Sequence, residues 1–191
     1  METSGGVFGP LGATLGAQAK DPIALLKGGD RRSIGRVGEV VRIVNRAPER
    51  FRALIDGLFA EDEVVAMRCA DAIEKISLQH PDWLRPHAKL FLKRAAGPAL
   101  PEIRWHMAQI LPRLSFTPSQ RARAIDLLMR YLEDKSAFVR VSAMQALAEM
   151  SEHDSRLGKS IVPLIRETMQ RGTAAVRARG RKLLIRFGAR Y

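Results

Sequence analysis

The chain repeats a helix-length pattern with a period near 37 residues, and this period limits the folds open to it. Four segments that start 38, 36 and 37 residues apart carry the pattern: VAMRCADAIEKI (65–76), IRWHMAQILPRL (103–114), VRVSAMQALAEM (139–150) and VRARGRKLLIRF (176–187). If the first residue of each is position 0, apolar or small residues occupy positions 0, 4, 7, 8 and 11, which form one stripe on a helix. A weaker copy, SIGRVGEVVRIV, covers 33–44. Repeats of this length are typical of stacked helix pairs.

Other amphipathic segments alternate with these copies and predict the first helix of each pair. They are DPIALLKGG (21–29), PERFRALIDGLFA (48–60), PDWLRPHAKLFLKRAA (81–96), TPSQRARAIDLLMRYL (117–132) and RLGKSIVPLIRETMQ (156–170). Thr117 and Gln120 have the spacing of a capping box. Pro86 and Pro163 fall early in their segments and predict a kink or a delayed helix start. The sequence therefore predicts an all-α fold of about five helix pairs, the first of them shortened.

The copies that begin at residues 103, 139 and 176 resemble the second helix of a HEAT repeat, because they carry Ile-Arg or Val-Arg at positions 0 and 1 and Leu at 8, with small residues at both 4 and 7 in 139–150. The resemblance covers roughly residues 21–190. It implies a right-handed α-solenoid whose second helices line a concave, ligand-binding face. It also implies that Asp134 pairs with Arg140, since an Asp six residues before this arginine often forms a ladder along such stacks. Arg104 and Arg177 lack that Asp, so a structural role through another acceptor and a partner-binding role both stay open.

The rest of the chain is predicted to be a mobile, glycine-rich tail over residues 1–20, followed by one repeat domain over 21–191. The alternative is that the tail docks on the repeats through apolar side chains, namely Val7, Phe8, Leu11 and Leu15. Cys69 is the only cysteine, which excludes an intrachain disulfide and favours a reducing, cytoplasmic location. No secretion signal is expected from the first residues, and no run of about 18 apolar residues predicts a membrane span.

The face opposite the stripe, at positions 2, 5, 6 and 9 (hereafter the opposite face), is expected to line the concave surface. It is mostly small and apolar, and arginines and a histidine flank it at positions 1 and 3. Such a strip suits a protein segment with apolar residues and acidic neighbours. The predicted partner-binding residues are Met67, Arg68, Arg104, Trp105, His106, Val141, Met144 and Arg179. The alternative is that Met67, Trp105 and Val141 pack on one another as a second small core.

The formal charge of +12 is concentrated at one end of the chain. The last 37 residues carry ten basic side chains and one acidic side chain. Exposed arginine and lysine are what phosphate backbones require. Binding of nucleic acid through the last repeat is therefore the alternative function, with Arg177, Arg179, Arg181, Lys182 and Arg186 as its candidate residues.

An enzymatic function is considered only through the resemblance, because some HEAT-like proteins are DNA glycosylases for alkylated bases. In that family a concave-face Trp is followed one turn later by a catalytic Asp. Here Trp105 is followed by Gln109, which cannot supply the negative charge that stabilises an oxocarbenium ion. Asp71 on the neighbouring helix is the only nearby substitute, and we expect it to be solvated. The four histidines show no metal-ligand spacing, so no cofactor is expected and the predicted function is a non-catalytic binding scaffold.

Overall fold

The computed structural model describes residues 21–188, and within them the regular structure is entirely helical. The α-helices are α1 (Val37–Arg46), α2 (Phe51–Gly57), α3 (Glu63–Ser77), α4 (Ala88–Ala96), α5 (Pro101–Ile110), α6 (Pro118–Tyr131), α7 (Ala137–Met150), α8 (Ser155–Gln170) and α9 (Ala174–Arg186). Short 3-10 segments cover Ala24–Leu26, Pro48–Arg50, Pro81–His87 and Leu111–Arg113. The all-α prediction is confirmed for this part of the chain. The predictions for residues 1–20 lie outside the described residues.

The helices form two sets that follow the repeat. The odd-numbered helices contain the copies that recur about every 37 residues. Each of these helices packs on the next: α1 on α3, α3 on α5, α5 on α7, and α7 on α9. Even-numbered helices pack against the odd helix that follows them, as α2 does with α3, α4 with α5, α6 with α7, and α8 with α9. The odd helices therefore contact one another at least as extensively as they contact their even partners, and α4 also packs on α6.

The stripe positions supply the core between the two sets of helices. Cys69, Met107, Leu147 and Leu184 are fully buried, as the helical periodicity predicts. Together with their equivalents they belong to a single apolar cluster that extends from Leu26 to α9. Burial of this stripe stabilises the fold by roughly 25 cal/mol for each Å² of apolar surface removed from water.

Helix ends follow the local sequence signals in most places. The Thr117 hydroxyl and the Gln120 side chain form the predicted capping box at the start of α6. Pro86 delays its helix as expected, because Pro81–His87 is 3-10 and α4 begins only at Ala88. Pro163 instead lies inside α8, which continues through it. The carbonyl that loses its helical donor there belongs to Lys159, which is exposed and can bind water.

The first predicted helix, 21–29, is wrong in extent: only the single 3-10 turn Ala24–Leu26 forms. The Asp21 side chain accepts a hydrogen bond from the Ile23 amide at the start of this turn. Gly28 and Gly29 end it with φ angles of 77° and 74°, a conformation that L residues with side chains rarely adopt. The segment is therefore too short to nucleate a stable helix.

Candidate protein-binding surface

The opposite face is not the open surface that the sequence analysis expects, because it packs against the next odd helix. Met67 on α3 and Met144 on α7 are buried, as are Ala108 on α5 and Ala148 on α7. An odd helix in the middle of the row has to contact its even partner and an odd neighbour on each side, which leaves little of its circumference free. Met67 and Met144 are therefore core residues, and they present no side chain to a partner in this conformation.

Trp105 and Val141 are the two apolar members of the predicted set that remain half-buried. The Trp105 ring lies 5.3 Å from the ring of Phe138 at an angle of 47°. Phe138 itself is 69% exposed, the largest exposure among the large apolar side chains of the described residues. Phe138 stands one residue before position 0, so it lies outside the twelve-residue copy that the sequence analysis considered, although seven residues separate it from position 6 and place it at the edge of the opposite face. Extension of the helical wheel by one residue would have been the signal that could find it.

Arg68 is a structural residue rather than a partner contact. Its side chain is buried and donates hydrogen bonds to the main-chain carbonyls of Leu26, Gly28, Asp30 and Ser33. One guanidinium thus holds the loop that precedes α1.

Arg104 is also structural, through an acceptor in the next helix pair. It forms a two-pronged pair with the Asp134 carboxylate, 2.6 Å at its shortest, and also donates to the Ala99 carbonyl. Burial raises the pKa of Asp134, but the hydrogen bonds from Arg104 and the Ser136 amide outweigh it and hold this pKa below its usual value. Arg140 donates to the main-chain oxygen of Asp134 and not to its carboxylate, so the predicted pairing within one repeat is corrected. The Asp134 carboxylate instead links its own repeat to the preceding one through Arg104.

Arg177, the arginine at position 1 of the last copy, lies in the first turn of α9. Arg177 donates to the carbonyl of Gly172, five residues earlier, while its side chain stays exposed. It therefore has a structural hydrogen bond and remains accessible.

His106 and Asp71 lie together between α5 and α3. Both residues are buried, so the expectation that Asp71 is solvated is wrong. The Nε2 atom of His106 is 3.9 Å from Asp71 Oδ1, and Lys75 contacts the same carboxylate oxygen. Burial lowers the pKa of His106, and the nearby Asp71 carboxylate only partly opposes this effect. His106 is therefore placed at an inter-helix contact and not on an outer rim.

A groove of about 190 Å³ continues the surface from Val141 toward α9. Its lining, together with Val141, comes from Gln109 of α5, Arg113 of the 3-10 turn after α5, Gln145 and Glu149 of α7, and Arg179 of α9. Arg179 donates to the neutral Gln145 side chain at 3.1 Å, so its charge is not neutralised by that contact. Arg113, in contrast, is paired with Glu74.

The five candidate nucleic-acid-binding residues of α9 are all exposed, but they lie on two edges of the helix. Arg179, Lys182 and Arg186 follow a three-and-four spacing and share the edge next to the groove, whereas Arg177 and Arg181 share another edge. Arg186 is paired with Glu152. Within residues 21–188, neither Arg181 nor Lys182 forms an ion pair. The edge beside the groove therefore offers accessible positive charge.

The geometry defines an all-helical protein in which an exposed Phe138 packs on a half-buried Trp105 and the last helix is basic. Comparison with known proteins adds no family, since neither a family model nor a curated protein sequence matches the chain. In the part of the chain that the structure describes, no helix has the length and apolar character needed to cross a membrane.

Proposed function

We propose that the chain is a non-catalytic binding scaffold that recognises an acidic protein segment. The observation that carries this proposal is the exposed Phe138 ring packed on the half-buried Trp105, on the same helix row as the cations of α9 that lack carboxylate partners. An exposed aromatic ring on a surface that also carries unneutralised arginine is typical of interaction sites for partners with apolar and acidic residues.

The proposed architecture is a HEAT-like, right-handed α-solenoid of five helix pairs, with the first pair reduced to one turn and α1. The 37-residue period and the serial packing of odd helices support it. In this proposal the groove beside Val141 and Arg179 belongs to the concave face. The reducing environment implied by a single buried cysteine supports a cytoplasmic location.

The proposed contact set differs from the sequence-based one. It keeps Trp105, Val141 and Arg179, adds Phe138 and Lys182, and leaves out the buried or structurally engaged side chains. In the bound state the partner's apolar residues would cover the aromatic pair. Its carboxylates would meet Arg179 and Lys182, which face them from α9.

Selection from a random peptide library against the full chain tests the proposal. We expect the enriched peptides to combine apolar residues with Asp or Glu, and Phe138→Ala to weaken their binding about tenfold or more, the scale of an aromatic hot spot. Phe59→Ala is the matched control, since Phe59 is also an exposed phenylalanine, on a different surface next to Lys93. Equal binding by the two variants would refute the proposed surface.

Charge reversal separates the acidic partner from a merely apolar one. Arg179→Glu should weaken the selected peptides, whereas Arg123→Glu on the exposed side of α6 should not. Enrichment of neutral or basic peptides would contradict the proposal.

Nucleic acid is the second candidate, because all five basic residues of α9 are accessible. Binding of this kind should fall with salt by about 0.9 per phosphate contact on a log–log plot for duplex DNA. A salt-dependent gel shift that Lys182→Glu and Arg181→Glu both abolish would favour it over the protein partner. Glycosylase activity has less support, since Gln109 carries no charge and Lys75 already contacts the Asp71 carboxylate. Release of bases from methylated DNA would nevertheless establish it.

A further inference from the structure

Three potential metal ligands, none of them in the proposed contact set, meet between α3 and α5. Asp71 and Glu74 lie almost one turn apart on α3, and His106 faces them from α5. One ligand atom from each residue lies within 4.8 Å of the others. The cluster combines a ring nitrogen with two carboxylates, which is a donor set that suits transition metals better than Mg²⁺ or Ca²⁺.

The polar groups of this cluster are incompletely satisfied by the protein. The Asp71 side chain is only 8% exposed, and its Oδ2 atom has no hydrogen-bond partner. The Nδ1 atom of His106 and the Oε1 atom of Gln109, one turn further along α5, are buried as well, but these two side chains interact with each other. An unpaired buried polar atom costs about 1–3 kcal/mol, so the unpaired carboxylate oxygen of Asp71 indicates a missing ligand.

The geometry at His106 favours a cation over a direct hydrogen bond. A separation of 3.9 Å between Nε2 and Asp71 Oδ1 is too long for a hydrogen bond. Two ligands bound to one Zn²⁺ at about 2.0–2.1 Å lie roughly 3.4 Å apart in tetrahedral geometry, so a small side-chain adjustment would close the site. The Gln109 carbonyl is then placed to accept a proton from Nδ1, as second-shell groups commonly do for metal-bound histidine.

The neighbouring cations do not block the cluster. Lys75 contacts Asp71 through Oδ1, but its side chain is 43% exposed and can move into solvent. Arg113 donates to Glu74 Oε1 and to the Glu74 main-chain oxygen, and so it can stay in place as a second-shell donor that orients this carboxylate. A cavity of about 180 Å³ lined by Trp105 gives Asp71 and His106 a route to solvent.

We propose that Asp71, Glu74 and His106 form a site for a divalent transition metal, Zn²⁺ in the first instance, that joins α3 to α5. Three protein ligands leave one coordination position for water or for a group of a bound partner. The proposal does not depend on the proposed function, because it concerns a contact between two helices of the chain itself.

Calorimetric titration of the full chain with zinc chloride, after treatment with a chelator, tests the site. We expect one Zn²⁺ per chain, and about 30-fold or greater weakening in each of Asp71→Asn, Glu74→Gln and His106→Gln, since loss of even second-shell partners weakens metal binding 10–100-fold. His153→Gln is the matched control because His153 is exposed and far from the cluster in sequence. Circular dichroism verifies that each variant is folded, and any one folded variant is sufficient for the comparison.

Binding of Co²⁺ provides a second measurement, by fluorescence, that does not rely on the heat signal of calorimetry. The Trp105 ring lies 5.3 Å from His106, so bound Co²⁺ should quench the fluorescence of Trp105 in a Trp83→Phe background. Quenching should disappear in His106→Gln. No binding of Zn²⁺ or Co²⁺, or binding that all three ligand variants retain, would overturn the proposal. Those results would show that water alone satisfies the cluster, or that the metal binds elsewhere.

Discussion

Replacement of Arg68 by Met should unfold the loop before α1 and weaken the whole domain. Arg68 is 2% exposed, and its guanidinium donates to four carbonyls between residues 26 and 33. This loop has no other long-range side-chain anchor of comparable extent among the described contacts. Methionine has a similar length and fills the apolar part of the site, so the substitution mainly removes the donors.

The expected magnitude follows from the burial of the individual hydrogen bonds. Only the bond to the Leu26 carbonyl is fully buried, and the others are partly buried. A hydrogen bond from a charged donor contributes about 1.5–3 kcal/mol, and water can replace most of the partly buried ones. Recovery of the desolvation energy of the guanidinium offsets part of the loss. We therefore expect Arg68→Met to lower the free energy of unfolding by roughly 2–4 kcal/mol.

Urea unfolding followed by circular dichroism measures this change, and hydrogen exchange locates it. Amides of residues 27–36 should lose protection in Arg68→Met. Amides of α7 should lose only the protection that the drop in the free energy of global unfolding accounts for. Arg42→Met on the exposed side of α1 is the matched control. A loss below about 0.5 kcal/mol, the range of ordinary surface substitutions, would refute the structural role of Arg68.

Gly35 provides an independent check of the same contact. Its φ is +55°, and an added Cβ would lie 2.9 Å from Cζ of Arg68. Gly35→Ala should therefore destabilise the same loop through backbone strain and by displacing the guanidinium. The two substitutions should be non-additive when combined, because both remove one interaction.

Three further predictions concern other contacts. Arg104→Met should cost roughly 1–3 kcal/mol at neutral pH. The pKa of Asp134 is lower in the folded state than in the unfolded state, so this contribution to stability is complete above the usual Asp pKa of about 3.9 and is lost as the pH falls through the folded pKa. The unfolding free energies of wild type and variant, measured in urea, should therefore converge in acid. Burial raises the pKa of Cys69 to about 12, and so a thiol reagent at neutral pH should label it only after unfolding; rapid labelling of the native chain would contradict this. Tyr131→Phe removes a 2.7 Å hydrogen bond to the Ala95 carbonyl and should lower the unfolding free energy by about 1 kcal/mol, measured in urea.

The periodicity of the chain predicted the helices and the core stripe because both depend on residues close together in sequence. A single stripe on each odd helix determines which side faces its even partner. The starts of α6 and α4 were predictable for the same reason, since Thr117, Gln120 and Pro86 act within one turn. The extent of the helical turn before Gly28 was not predictable from local sequence, because Arg68, 40 residues further along the chain on α3, holds the loop that contains Gly28.

The opposite face was misassigned because a helical wheel cannot distinguish solvent from a neighbouring helix. Small and apolar residues such as Ala108 and Met144 fit an interaction groove and a tight helix–helix contact equally well. Which of these applies depends on how far successive pairs rotate, and no residue within one repeat encodes that rotation by itself. The contacts between successive odd helices resolve the ambiguity in favour of packing for Met67 and Met144.

The packing nevertheless contains a rule that makes some long-range contacts predictable from the period. Position 3 of one odd helix meets position 6 of the preceding one: His106 faces Asp71, and Arg179 donates to Gln145. Applied between α5 and α7, the same rule places Ser142 beside Gln109, and both residues line the groove next to Val141. Changes at position 6 therefore act on the following helix as well as on their own. Exchange of Gln145 for Glu would place a carboxylate against Arg179, neutralise the cation that the proposed partner requires, and reduce its binding without removing any residue of the proposed contact set.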